Sequence, residues 1–177
     1  MPVTGIIYAY EMHIDRSIGK FYNLGTYTQQ STKAIVSDPS YTYNKNDALS
    51  FSVALDNVAQ GIWHTMIMLQ DENPGRVMSL ISVLEGVHVF DQSNDWGTVG
   101  DAGVDSGQLG IYDLDDYHAD DEEWYDRNSN ITLSNARAGI IGRGVVSRSG
   151  YGDGIYPVYV LMRNNSIVGI WVDFREE

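Results

Sequence analysis

Cysteine is absent from this chain of 177 residues. That excludes disulfides, thiolate metal sites and cysteine nucleophiles together, and it fits a reducing compartment. No apolar run approaches the roughly 18 residues that a membrane-spanning helix requires. The opening stretch M-P-V-T-G-I-I-Y-A-Y-E-M-H-I-D has no basic region ahead of a long apolar run, so no secretory signal is read there. These absences lead to the expectation of a soluble cytoplasmic protein with no membrane attachment. No low-complexity tract, linker or internal repeat is read in the sequence. The length suits one domain, residues 1–177, able to bury a core without covalent staples.

Basic residues are missing from one long segment. Residues 91–126 hold 12 acids and no lysine or arginine, which accounts for nearly all of the formal net charge of −13. A field of that sign repels phosphate backbones, so no nucleic-acid partner is expected. It attracts cations or a basic protein. The plain alternative is a solvated loop.

What is present reads mostly as strand. Leu49, Phe51, Val53 and Leu55 alternate with small residues and predict one apolar face. Gly61 opens a second strand, I-W-H-T-M-I-M-L. The segment D-E-N-P-G at 71–75 has turn composition. After it, Val77, Leu80, Ile81 and Leu84 fit helical spacing, whereas the β-branched content of 76–90 favours a strand. The strand is the expectation. G-K-F-Y-N-L-G-T-Y-T and T-K-A-I-V-S-D-P predict two more strands. Near the end, I-Y-P-V-Y-V-L-M and I-V-G-I-W-V-D-F flank Asn164 and Asn165, residues that tolerate the positive φ of a tight hairpin turn. Both of these strands are apolar on both faces, which predicts central places with cover on each side. A short helix is expected around Trp124, with Asp120 or Asp121 as N-cap. The fold expected is mainly β, a β-sandwich or a strongly twisted, barrel-like antiparallel sheet, with one or two short helices.

Three polar motifs interrupt these strands: S-D-P-S-Y with Asp38 and Tyr41, V-D-S-G-Q with Asp105, Ser106 and Gln108, and S-G-Y-G-D-G-I-Y with Ser149, Tyr151, Asp153 and Tyr156. Each aspartate beside a glycine or proline has a structural reading, in which its carboxylate caps backbone N–H groups. The functional reading brings the motifs to one rim. Glycines beside Asp105 and Asp153 leave room for a ligand or a second backbone. Asp38, Asp105 and Asp153 would then be candidate metal ligands, and oxygen-only ligation suits Mg2+ or Ca2+. Asp105, Asp153 and Ser106 are the candidate catalytic residues. Asp38, Tyr41, Gln108, Ser149, Tyr151 and Tyr156 are the candidate ligand contacts. The run G-Y-G-D-G lacks G-x-G-x-x-G order and a lysine, so it is not a phosphate loop. D-S-G-Q lacks the G-x-S-x-G elbow of a raised serine nucleophile. None of His13, His64, His88 and His118 adjoins a serine motif, and His64 reads as a sheet residue.

The pieces S-T-K-A-I-V-S-D-P-S-Y at 31–41, N-V-A-Q-G-I-W at 57–63, V-D-S-G-Q-L-G-I-Y-D at 104–113 and S-G-Y-G-D-G-I-Y-P-V-Y at 149–159 resemble an uncharacterised family of bacterial and phage-associated proteins, catalogued as a domain of unknown function. The resemblance covers most of the chain after about Lys20. Ser40 stands where similar proteins carry cysteine, which argues against an obligatory thiol. The resemblance implies no activity, only that the motifs converge.

Three functions remain open from the sequence. The first is a small-molecule-binding or hydrolytic domain whose Asp/Ser/Gln/Tyr pocket takes a small polar ligand. That ligand class includes a phosphorylated or nucleotide-like molecule with a divalent cation. The second is an acidic interaction protein, of immunity or inhibitor type, that covers a basic partner through residues 91–126. The third is a phage or bacterial structural component.

Overall fold

The computed structural model describes residues 2–3, 19–47, 50–70, 76–91 and 93–175. Two antiparallel sheets dominate it, as expected from the sequence. The larger joins seven strands in the order β1 (Pro2–Val3), β2 (Gly19–Gln29), β5 (Gly61–Gln70), β6 (Val77–Leu84), β12 (Ser166–Asp173), β11 (Gly154–Arg163) and β7 (Trp96–Val104). The smaller joins β4 (Val53–Leu55), β3 (Ala34–Ser37), β8 (Gln108–Asp113), β10 (Gly144–Arg148) and β9 (Ala138–Ile140). One helix, α1 (Glu122–Leu133), and one 3-10 turn (Leu114–Asp116) are the helical elements among the described residues. None of the described helices is long and apolar enough to cross a membrane.

Strand periodicity builds the core. Trp63 and Ile67 of β5, Val77 of β6, Val158 of β11 and Ile170 of β12 meet Ala34, Val36, Leu109, Ile111 and Val145 from the smaller sheet in one buried cluster. The outer face of the smaller sheet is apolar as well. Ile35, Tyr112, Ile141 and Val146 pack there against Trp124 of α1, so β3 and β8 are buried along their full length. On the outer face of the larger sheet, Phe21, Met68, Ile81, Val83 and Trp171 are covered by Val87, Val89 and Phe90.

The helix begins where its sequence asks it to. The Asp121 carboxylate accepts from the Glu123 and Trp124 N–H groups, and acids fill the first turn. At 76–90 the strand reading holds over Val77–Leu84, since ladder partners on both sides override the helical spacing. The β11–β12 hairpin turns through Asn164 (φ 50) and Asn165 (φ 63), the left-handed pair that its strand twist requires.

Three expectations need correction. Phe51 is not on a buried face: it is 57% exposed, and β4 spans only Val53–Leu55. Ahead of β4 the chain crosses to the other sheet, where the Phe51 carbonyl accepts from the Gly103 N–H at 2.9 Å. Ala48 and Leu49, and the turn expected at 71–75, lie outside the described residues. Second, β12 is covered on both faces but β11 is not. Ile155, Pro157 and Tyr159 face outward and keep some exposure, whereas Tyr156, Val158 and Val160 are buried. Third, a short repeat does exist, visible through matching hydrogen bonds at Asp38 and Asp113.

Candidate functional site

Asp38 follows β3 and is fully buried. Its Oδ2 accepts from the N–H groups of Asp105 (2.8 Å) and Ser106 (2.7 Å), and its Oδ1 from the Ser106 hydroxyl (2.6 Å) and the Ser40 N–H (2.8 Å). Four donors therefore engage one carboxylate. Asp113, at the far end of β8, does the same. Its Oδ2 accepts from the Gln30 (2.8 Å) and Ser31 (3.1 Å) N–H groups, and its Oδ1 from the Ser31 hydroxyl (2.6 Å) and the Asp115 N–H (3.1 Å). Since β3 and β8 run antiparallel, with Ala34 opposite Asp113 and Ser37 opposite Gly110, the two arrangements are related by a local twofold axis. Every matched position lies 75 residues apart: 31 and 106, 38 and 113, 40 and 115. Each aspartate fastens the turn that leads into the other strand. One difference remains, because the Arg143 guanidinium also donates to Asp113 at 3.2 Å. Burial alone would raise the Asp113 carboxyl, but the hydrogen bonds from Ser31, Gln30 and Asp115 outweigh it and hold it below the usual range.

The three motifs do meet, and their meeting point is the 105–107 turn. Gly107 donates its N–H to Asp153 Oδ1 at 3.0 Å and its carbonyl accepts from the Ser149 N–H at 3.1 Å. Tyr41 lies beside the same turn, its phenol pushed up to about 12 by burial and by its bond to Asp105. Convergence here ties carboxylates and a carbonyl to backbone N–H groups. The Asp38 oxygens are occupied by protein donors, and among the described residues no group of three or more His, Asp or Glu side chains is arranged to hold a metal ion. The expectation that Asp38, Asp105 and Asp153 ligate a cation together is corrected on that ground. Asp38 also leaves the set of ligand contacts.

Ser106 commits its hydroxyl proton to Asp38. His64 instead lies by Glu85 (3.4 Å) and His118 by Asp116 (3.2 Å), and His13 is outside the described residues. Gln108 is buried and holds α1 onto β8, donating to Ser129 Oγ and accepting from the Thr132 hydroxyl, each at 3.0 Å. It does not line the cleft formed by β11. Ser149 is buried too, its hydroxyl donated to the Gly152 carbonyl at 2.8 Å.

The S-G-Y-G-D-G run is first a tight corner. Gly150 (φ 58) passes so near its neighbours that a Cβ there would lie 2.8 Å from the Phe174 carbonyl and 3.0 Å from that of Val77. The close approach is to another strand's backbone. The Tyr156 hydroxyl lies 2.9 Å from the Ser149 carbonyl and 2.7 Å from that of Gly152, clamping the corner from inside.

On its outer side the corner forms one wall of a cleft of about 490 Å3. Its floor is the uncovered half of β11, with Ile155, Pro157 and Tyr159. Tyr151 and Asp153 come from the corner, Asp101 from the edge strand β7, and Asp173 and Arg175 from the end of β12. Tyr156 reaches it from behind. Of the expected site residues, Tyr151, Asp153 and Tyr156 line this cleft; Asp38, Tyr41, Asp105, Ser106, Gln108 and Ser149 do not. Sequence reasoning missed Asp101, Asp173 and Arg175. The signal was available, since Asp101 and Asp173 are single acids inside strand-like runs, V-G-D-A-G-V and W-V-D-F.

Electrostatically the cleft divides in two. Asp173 and Arg175 neutralise each other through a two-bond fork, Nε to Oδ1 at 2.8 Å and Nη2 to Oδ2 at 2.6 Å. Asp101 and Asp153 are exposed, and among the described residues neither is paired with a cation. At the rim, the Arg76 guanidinium lies over the Tyr151 ring, 3.8 Å from its centroid. No protein-family model, curated protein or solved structure matches this chain.

Proposed function

We propose that this protein is a binding domain whose β11 cleft takes a small polar ligand. A single observation carries the reading: aromatic rings, a flat apolar floor and unneutralised carboxylates line one cavity of ligand size, about 490 Å3. Binding is better supported than hydrolysis, because the Ser106 hydroxyl is engaged with Asp38 and Ser106 is not part of the cleft's lining. A phosphorylated or nucleotide-like ligand would need a divalent cation such as Mg2+ or Ca2+ beside its phosphates, since the cleft's free charge is negative. The test is a thermal-shift panel of amines, sugars and nucleotides, the last with and without Mg2+ and Ca2+. A true ligand at about 100 times its Kd stabilises by about 2.7 kcal/mol, and Tyr151→Ala with Asp153→Ala abolishes the gain. If no compound stabilises the protein, or if the double variant responds like the parent, the cleft is not a binding site.

A second reading rests on a different surface. Asp115, Asp120, Asp121, Glu122, Glu123 and Asp126 are all exposed, on the 3-10 turn, the segment that leads from it to α1 and the first turns of α1. Such a face suits a basic protein partner, as an inhibitor or immunity protein would present. Asp120→Asn, Glu122→Gln, Glu123→Gln and Asp126→Asn together should slow association and flatten its salt dependence. Asp121 is kept because it caps the helix. Association that ignores both salt and these four changes removes this reading.

A further inference from the structure

We infer that the ligand of the β11 cleft carries a guanidinium or ammonium group; this rests on the cleft being a binding site. Each part of the lining selects for that chemistry. Arg175, the one base in the lining, is already forked onto Asp173 and brings no free positive charge. Asp101 accepts no hydrogen bond among the described residues, and Asp153 uses only Oδ1, for the Gly107 N–H. Two carboxylates thus face the same cavity with acceptor positions open. An anion would meet repulsion there, and a neutral ligand would leave the carboxylates without charged partners. A cation satisfies both.

The aromatic wall points the same way. The Tyr151 ring already has one guanidinium stacked on it, that of Arg76, which does not itself line the cleft. The residue is 46% exposed and lines the cleft, so it offers aromatic surface to a planar cation there. Ile155, Pro157 and Tyr159 beneath offer a flat apolar surface for the methylene stem that accompanies such a group in an arginine, lysine or polyamine. The charged head would then lie between Asp101 and Asp153.

The experiment is a 1H–15N chemical-shift titration of the full chain with three probes: argininamide, cellobiose and inorganic phosphate. Argininamide is expected to shift the amides of Asp101, Tyr151, Asp153 and Gly154, with affinity that falls as salt rises. Asp101→Asn with Asp153→Asn should weaken it about tenfold; both side chains are exposed, so the fold should persist, as unchanged shifts elsewhere would verify. Cellobiose or phosphate moving these amides while argininamide does not would overturn the cation inference and leave the binding site standing. Silence from all three probes would overturn both. Equal affinity in the double variant would also overturn the inference.

Discussion

Asp38 and Asp113 are twofold-related partners: each closes the turn ahead of the other's strand, through two N–H groups and a serine hydroxyl. The β3–β8 ladder is therefore fastened at both ends by the same device. Asp38, a functional candidate by its sequence, is here with Asp113 a joint of the smaller sheet.

Asp38→Ala and Asp113→Ala should each cost about 3 kcal/mol, since each leaves several buried N–H groups without an acceptor. Urea unfolding measures this through a lower midpoint at unchanged slope. A loss under about 1 kcal/mol for either variant would contradict the joint role.

The Asp113 carboxyl lies lower in the folded chain than its unfolded value of 3.8. Its contribution is therefore complete above that pH and is lost as pH falls through the folded value, because there the unfolded chain binds more protons. Asp113→Asn should flatten the dependence of Tm on pH below about 4. An unchanged acid slope would show that other groups set it.

Tyr41 has the opposite sign of dependence. Its phenol is raised from 10.0 to about 12, so its contribution is full below pH 10.0 and fades as pH climbs through the folded value. Tyr27, Tyr112 and Tyr117 are raised as well, so ultraviolet titration should show several late phenols and lose one of them in Tyr41→Phe. A late phase of unchanged amplitude in that variant would show that Tyr41 titrates with the ordinary phenols.

Gly150 and Gly152 separate crowding from conformation. Both have positive φ, but a Cβ at Gly150 meets Phe174 and Val77, whereas one at Gly152 meets nothing within 4 Å. Gly152→Ala should cost about 1 kcal/mol from backbone strain alone. Gly150→Ala should cost about 3 kcal/mol or more. Equal losses would mean that the corner adjusts freely.

Asn165 sits at φ 63 in the hairpin turn. Asn165→Gly gives the turn its preferred Asn-Gly pair and should raise stability by about 0.5 kcal/mol. A fall in Tm would place the asparagine side chain in a contact of its own.

Local features were legible in the residues themselves. Asn164-Asn165 announced its turn, Asp121 its helix, and V-M-S-L-I-S-V-L its strand despite a competing helical spacing. The site was half legible. Tyr151, Asp153 and Tyr156 stand out as polar and aromatic residues among glycines, and they do line the cleft. Asp38, Ser106 and Gln108 stand out for the same reason and are consumed by backbone and helix contacts. A carboxylate that binds N–H groups and one that faces an open cavity have the same one-letter code.

Alternation and turn chemistry are short-range properties, so the chain by itself determined that it would be β-rich, where it would turn, and that its excess charge would fall in one segment. Which acids stay free is a long-range matter. Asp38 finds its donors 67 and 68 residues away, while Asp101 and Asp173 become neighbours of Asp153 only because β7, β11 and β12 lie side by side. Strand order and register decided that, and no single stretch of sequence contains either.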